Sequence, residues 1–318
     1  MDLSKLFIVG NGFDIAHDLP TRYQDFHQYL LDNYPRPRSI NSLATFNIES
    51  KTTPDGRKTI DEIEAAYFMR EMISEVEGDN WSNVETSLGY LALGDYVNGL
   101  LAHYEPDDIK GAEKYEEVSD SLELVMWEFK NILHNWISSI EIPLDRLISE
   151  FEQLIEKEND LFLSFNYTSV LEEIYKVVDV YHIHGSLHSS QFADIEFGHG
   201  NVRIDFVSAY DRSEDGLAEI HNILLKDTER IIEDSEPFFD KLSTVKEIYS
   251  FGFSFSEVDL PYIEEICKKC STEDCTWYLH VHGEEGEKEQ KREHQKSVIS
   301  NCGFKGNFKS LDINLSVF

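Results

Sequence analysis

The sequence predicts an α/β fold in which a parallel sheet is interrupted by a large helical insertion. Three observations predict it. Short apolar runs end repeatedly in Gly, Asn, His or Ser, as Leu6-Phe7-Ile8-Val9 does at Gly10, which is the pattern of a buried strand stopped by a tight turn. Between the first run and the next, residues 60–157 carry apolar side chains at helical spacing. The 318 residues, 41% hydrophobic and 12% aromatic, suffice for a sizeable core. Fibrous, collagen-like and wholly disordered chains are excluded by that composition.

The elements follow in order. After the first strand a helix is predicted from about Tyr23 to Asn33, ended by Pro35-Arg36-Pro37. Residues 39–58 are polar, with an exposed turn at Thr52–Arg57. In the helical region Ile63, Tyr67, Met72 and Val76 define one face. Leu122, Val125, Phe129, Leu133 and Ile137 define another, which packs internally or against a second copy of the chain. Trp81 reads as a core anchor and Glu85 as a solvated helix residue. The α/β pattern resumes with strands at 161–165, 178–183 and 195–197, a helical stretch over 217–242 and a strand at 247–251. Helix 259–270, strand 277–281 and a solvated helix over the charged run 284–296 complete it. Residues 1–34 and 158–318 would then form the α/β core, and 35–157 the helical insertion.

The formal net charge is −33. Such a surface repels a phosphate backbone, so non-specific nucleic-acid binding is not expected. No apolar run reaches the ~18 residues that span a bilayer, and the first residues lack a signal peptide's pattern; a cytoplasmic protein without membrane association is expected. Four cysteines do not make a disulfide framework in this length. Cys267, Cys270 and Cys275 read as reduced thiols on and after a helix, and no metal site is assigned.

In an open parallel sheet, ligands bind beyond the carboxyl ends of the strands. The polar clusters at 10–14, 166–168, 184–186 and 252–254 would therefore face one crevice. Gly10-Asn11-Gly12 after a strand lets backbone approach a phosphate, although the third Gly of a dinucleotide fingerprint is missing. Asn166 can both donate to and accept from sugar hydroxyls, or simply form a turn. His184 before Gly185 suits a general base. His182 shares its face of the strand. Asp14 and Asp259 are acidic candidates, or helix caps. There is no Gly-x-Ser-x-Gly elbow, phosphate-binding Gly-Lys-Ser/Thr loop or His-Glu-x-x-His pair.

Taken together, Gly10-Asn11-Gly12-Phe13-Asp14-Ile15-Ala16-His17-Asp18-Leu19-Pro20-Thr21-Arg22-Tyr23, Phe165-Asn166-Tyr167-Thr168, His182-Ile183-His184-Gly185, Phe197-Gly198-His199-Gly200 and Gly252-Phe253-Ser254 resemble the bacteriophage abortive-infection AbiH family. More distantly they are similar to the Rossmann-like, sirtuin-like NAD-binding fold. Gly10, Gly12 and Pro20 fall on the sirtuin nucleotide loop. Asn166 falls on the Asn that positions the nicotinamide ribose, and His184 on the catalytic His. Departures lie at Asp18, Arg22-Tyr23 and Thr168. No cysteine lies between His184 and Gly252, where sirtuin deacylases carry a four-cysteine zinc module.

The resemblance therefore implies an antiphage effector that hydrolyses NAD to nicotinamide and ADP-ribose, with NAD as substrate and no prosthetic group. It implies catalytic roles for Asn166, His184 and Asp14. It places Gly10, Asn11, Gly12, Phe13, Arg22, Tyr167, Gly185, Gly252, Ser254 and Asp259 around the nucleotide. An unidentified phage trigger and a homo-oligomer are compatible with this reading. The alternatives are a sensor that binds such a nucleotide without cleaving it, and a nuclease-type effector.

Overall fold

A computed structural model of the chain describes residues 5–37, 48–102, 109–187, 195–200 and 213–313. These divide into two compact units. The first is assigned Met1–Thr21, Ile137–Glu196 and Asp227–Phe318, and the second Arg22–Trp136 and Phe197–Lys226. Helix Tyr23–Asn33 thus belongs to the second unit rather than to the α/β core. Residues 137–157 belong to the first rather than to the insertion, and 197–226 join the second.

The first unit is built on six strands: β1 (Lys5–Val9), β4 (Leu161–Ser164), β5 (Val180–His182), β6 (Glu247–Phe251), β7 (Thr276–Leu279) and β8 (Asn307–Ser310). All neighbours pair in parallel, in the order β5-β4-β1-β6-β7-β8. Numbered within this sheet, that is 3-2-1-4-5-6, the Rossmann-like order, with its switch point between β1 and β6. The runs Leu6–Val9 and Leu161–Leu163 are apolar on both faces because both faces are covered. One face buries Leu6, Ile8, Leu163, Ile248 and Trp277 under helices Thr228–Asp234, Leu260–Lys269 and Glu285–Asn301. The other buries Phe7, Val9, Phe162 and Phe251 with Phe13, Phe151 and Tyr175. Phe7 stacks on Phe162 and Tyr249 of the flanking strands at 5.3 and 4.9 Å.

At the switch point two backbone segments lie in contact. Gly10 N donates to Phe251 O, and Gly12 N to Gly252 O. A Cβ on Gly12 would lie 2.6 Å from Gly252 Cα, and one on Gly252 would lie 2.2 Å from Phe13 N. Gly252 also has φ +61°, a conformation natural to glycine.

Several expectations are corrected. A short helix, Asn11–Ala16, precedes the expected Tyr23–Asn33. Residues 195–197 form no strand; only His199 bridges to Leu225. The stretch 217–242 is broken into Ser213–Ile223, Thr228–Asp234 and Glu236–Phe239. Asp227 caps the second of these through Arg230 N, and Pro237 opens the third. The polar stretch 39–58 lies partly outside the described residues.

The second unit contains helices Tyr23–Asn33, Glu62–Glu77, Val84–Leu88 and Leu93–Leu101, most of Ile109–Ser138, and Ser213–Ile223. It also holds a small hairpin of β2 (Lys51–Thr52) and β3 (Lys58–Thr59). Leu122, Val125, Phe129, Leu133 and Ile137 are buried within the single chain. Of the other expected face, Tyr67 and Met72 are buried, but Ile63 and Val76 are exposed. The helix starts at Asp61, whose side chain accepts from Ile63 N and Glu64 N, and its inward stripe runs through Ala65, Met69, Met72 and Ile73. Trp81 is a core anchor: it is fully buried, donates Nε1–H to Ser74 Oγ at 3.1 Å and stacks on His27.

The glycine contact makes a signed prediction. Gly12→Ala is expected to destabilise the protein by about 1–3 kcal/mol, as overpacking does. Gly99→Ala, in a helix with nothing within 4 Å of the added Cβ, is expected to stabilise it by roughly 0.5–1 kcal/mol. Urea unfolding of the two variants beside the parent chain checks both signs.

Candidate active site

The expected convergence holds within the first unit. Residues 10–14, 166–168, 184–185 and 252–254 follow the carboxyl ends of β1, β4, β5 and β6. They meet because parallel strands end on one side and because the Gly12–Gly252 approach draws the loops together.

Asn166 is held at the centre. Its Nδ2 donates to Gly10 O at 3.0 Å and to Asp14 Oδ1 at 2.8 Å. Both amide hydrogens are thereby used, which leaves Oδ1 as the side chain's acceptor. Thr168 Oγ1 donates to the other oxygen of Asp14 at 2.6 Å. The departure at Thr168 thus supplies a second donor to the same carboxylate. Asp14 is only 2% exposed. Burial pushes its carboxyl up from an ordinary 3.8 to about 7, against the opposing pull of the Thr168 and Asn166 hydrogen bonds.

His182 lies beneath. Its Nδ1 lies in hydrogen-bond contact with the Asn166 carbonyl oxygen at 2.8 Å. Its Nε2 faces Glu172 Oε1, also at 2.8 Å. The ring thus ties the end of β5 to Asn166 and to the helix after β4. His184 is 3% exposed and sits edge-on between Phe165 and Tyr262. Its Nε2 lies 3.7 Å from Asp259 Oδ1, and Ser256 Oγ donates to Asp259 Oδ2 at 2.8 Å. At 3.7 Å the His184–Asp259 pair is close but longer than a hydrogen bond, while Asp259 itself is held by the Ser256 hydroxyl.

The remaining expected residues are placed as follows. Asn11 is exposed and exchanges hydrogen bonds with Thr21. Phe13 is core. The N–H groups of Gly12 and Phe13 are bonded to Gly252 O and Gly10 O, so the turn spends these donors on the fold. Tyr167 OH donates to Glu196 O, and Gly185 adopts φ +79°. Ser254 is exposed, and Phe255 directly after it takes φ +56°. Arg22 caps helix Tyr23–Asn33 in the second unit, its backbone N donating to Asp25.

Three residues carry roles that spacing did not reveal. Glu172 pairs with His182. His17, fully buried, donates through Nδ1 to Phe13 O and accepts at Nε2 from Tyr175 OH; burial holds its pKa below the ordinary value, so the ring is neutral. In the second unit Glu85 is not simply solvated: its Oε1 receives Lys226 Nζ at 2.8 Å, and that lysine is 1% exposed. His199 of the Phe-Gly-His-Gly motif lies in this second unit, with its ring 4.1 Å from that of His221.

All four cysteines are free and buried. Burial pushes Cys267 and Cys270 up to about 12. Among the described residues no three His, Cys, Asp or Glu side chains are grouped to hold a metal ion. Among them also, no helix is long and apolar enough to cross a membrane.

A family model described as bacteriophage abortive infection AbiH matches residues 6–281. Among curated proteins and solved structures, nothing matches the chain.

Asp14 should leave a signature in stability. Its folded pKa is raised, so the contribution of its protonated form is complete below about pH 4 and is lost as pH rises through about 7. Relative to Asp14→Asn, the parent chain should lose up to about 4 kcal/mol between those limits. Denaturant unfolding of both proteins at about pH 4.5, 6 and 8 measures the difference. Parallel pH profiles would contradict the assignment.

Proposed function

The chain belongs to the bacteriophage abortive-infection family AbiH, and from that premise we propose that it is a defence effector that hydrolyses NAD to nicotinamide and ADP-ribose. The observation that carries this reading is the placing of Asn166 and His184 at the ends of adjacent parallel strands, beside the switch point. Asn166 is pre-oriented by Gly10 and Asp14, and His184 is backed by Asp259. The Rossmann-like strand order supports a nucleotide at this edge. The sirtuin-like part of the reading rests on the sequence motifs.

NAD would lie across the strand ends beside the Gly10–Asp14 turn, which offers close backbone approach rather than its Gly12 and Phe13 N–H groups, already bonded within the fold. Asn166 Oδ1 would accept from a hydroxyl of the nicotinamide ribose or from the attacking water. Water oxygen bonds to the ribose C1′ as the C1′–N bond breaks, and nicotinamide departs neutral with the electron pair. The proton released by water passes to His184. Asp14 is a positioning residue in this scheme: both of its oxygens are engaged with Asn166 and Thr168. In its ionised form it also contributes negative charge near the developing oxocarbenium.

One observation favours the binding-only alternative, namely that His184 is 3% exposed. The same experiment separates the two. The purified chain is incubated with NAD, nicotinamide and ADP-ribose are measured, and NAD binding is followed calorimetrically. An NAD hydrolase releases both products. His184→Ala should slow release by ~10²–10⁴-fold, the usual worth of a general base, and Asn166→Ala should lower it comparably while the folds stay intact. Saturable NAD binding without products would establish a sensor instead. Unchanged turnover in folded His184→Ala protein would remove that residue from the chemistry.

A further inference from the structure

Far along the sheet from Asn166 and His184, the first unit has a cavity of about 480 Å³ lined by Leu279 of β7, Phe308 and Ser310 of β8, and Glu289, Arg292 and Lys296 of helix Glu285–Asn301. All of these but Leu279 lie beyond residues 6–281, the part matched by the family model.

Its cations are buried or partly buried. In a chain of net charge −33, the lining side chains are two cations and one carboxylate, and each cation also meets a further carboxylate at the rim, Asp312 or Glu293. Lys309 also borders the cavity, but its Nζ sits over the Tyr278 ring at 5.4 Å. Tyr278 packs with the opposite sheet face, so Lys309 contributes backbone. Phe308, which packs with the helix-covered face, and Ser310 alternate onto the cavity side.

Arg292 is the anchor. Its side chain is 7% exposed. Nη2 donates to Asp312, a carboxylate that is 72% exposed. Nη1 lies 3.9 Å from Glu289 Oε2. Nε, on the same edge of the guanidinium as Nη2, is buried with no hydrogen-bond partner among the described residues. Buried donors are nearly always satisfied, and this edge is the one that grips an oxyanion with two parallel bonds. Lys296 stands one turn further along the same helix face. Among the described residues its ammonium is held by Glu293 alone, in a surface pair of 33% and 62% exposed side chains, a contact readily exchanged for another anion. Beside these cations the partly buried Phe308 offers an apolar surface, with the fully buried Leu279 behind it.

We propose that this cavity binds a phosphate monoester carrying a flat apolar body. The phosphoryl oxygens accept from Arg292 Nε, the Lys296 ammonium and the Ser310 hydroxyl, and the apolar body lies against Phe308. The volume suits a small molecule, not a polymer.

Calorimetric titration of the full chain near neutral pH with phenyl phosphate, inorganic phosphate and phenol tests this. Phenyl phosphate should bind saturably at one site, about tenfold more tightly than inorganic phosphate through contact with Phe308, and phenol should not bind. Lys296→Gln, at a partly exposed position that does not threaten folding, should weaken phenyl phosphate about tenfold. Phe308→Ala should erase its advantage over inorganic phosphate. Asn166→Ala should leave its affinity unchanged, which separates this cavity from the candidate active site. Absence of saturable binding, equal affinity in Lys296→Gln, or loss of binding in Asn166→Ala would each overturn the proposal.

Discussion

The backbone contact between Gly10-Asn11-Gly12 and Phe251-Gly252 is the constraint on which the candidate site depends. Nothing larger than hydrogen fits on Gly12 or Gly252 without displacing backbone. Two hydrogen bonds, Gly10 N to Phe251 O and Gly12 N to Gly252 O, close the contact. This turns the first loop so that the Gly10 carbonyl meets the Asn166 amide, and it sets Asp14 above the end of β4. Strand order, loop path and the orientation of one asparagine thus meet at a single close approach.

Around it the chain buries a connected network of polar groups, in which Glu172 Oε2 is left without a hydrogen-bond partner among the described residues. Asp14 holds Asn166 and Thr168, and His182 spans the Asn166 carbonyl and Glu172. Burying a carboxylate is costly unless hydrogen bonds offset it, and the raised pKa of Asp14 reports the part of that cost that remains. A network of this kind orders side chains more than it stabilises the fold. That ordering is what the proposed attack on a ribose carbon would require, since positioning supplies much of the rate in such reactions.

Much of this was legible in the sequence, for identifiable reasons. β1 and β4 stood out because strands covered on both faces are near-continuous apolar runs, and the polar residues ending them, like Gly252-Phe253-Ser254 after β6, marked the carboxyl edge. β8 was not read: Asn307-Phe308-Lys309-Ser310 lies at an exposed edge and buries only part of Phe308. The glycines announced a close approach, but sequence alone does not distinguish a ligand's backbone contact from the chain's own, and here Gly252 is the neighbour. The Lys226–Glu85 pair joins residues 141 positions apart, beyond the reach of any local pattern. His182 and Glu172 are partners only once β5 is seated beside β4, so their pairing is a property of the sheet.

The most direct test of this account is a crystal structure of the chain with ADP-ribose. The account predicts the nucleotide across the carboxyl ends of β1, β4 and β6, with a ribose hydroxyl hydrogen-bonded to Asn166 Oδ1 and C1′ on the side of His184. ADP-ribose bound elsewhere, or bound with its ribose turned away from Asn166 and His184, would contradict it.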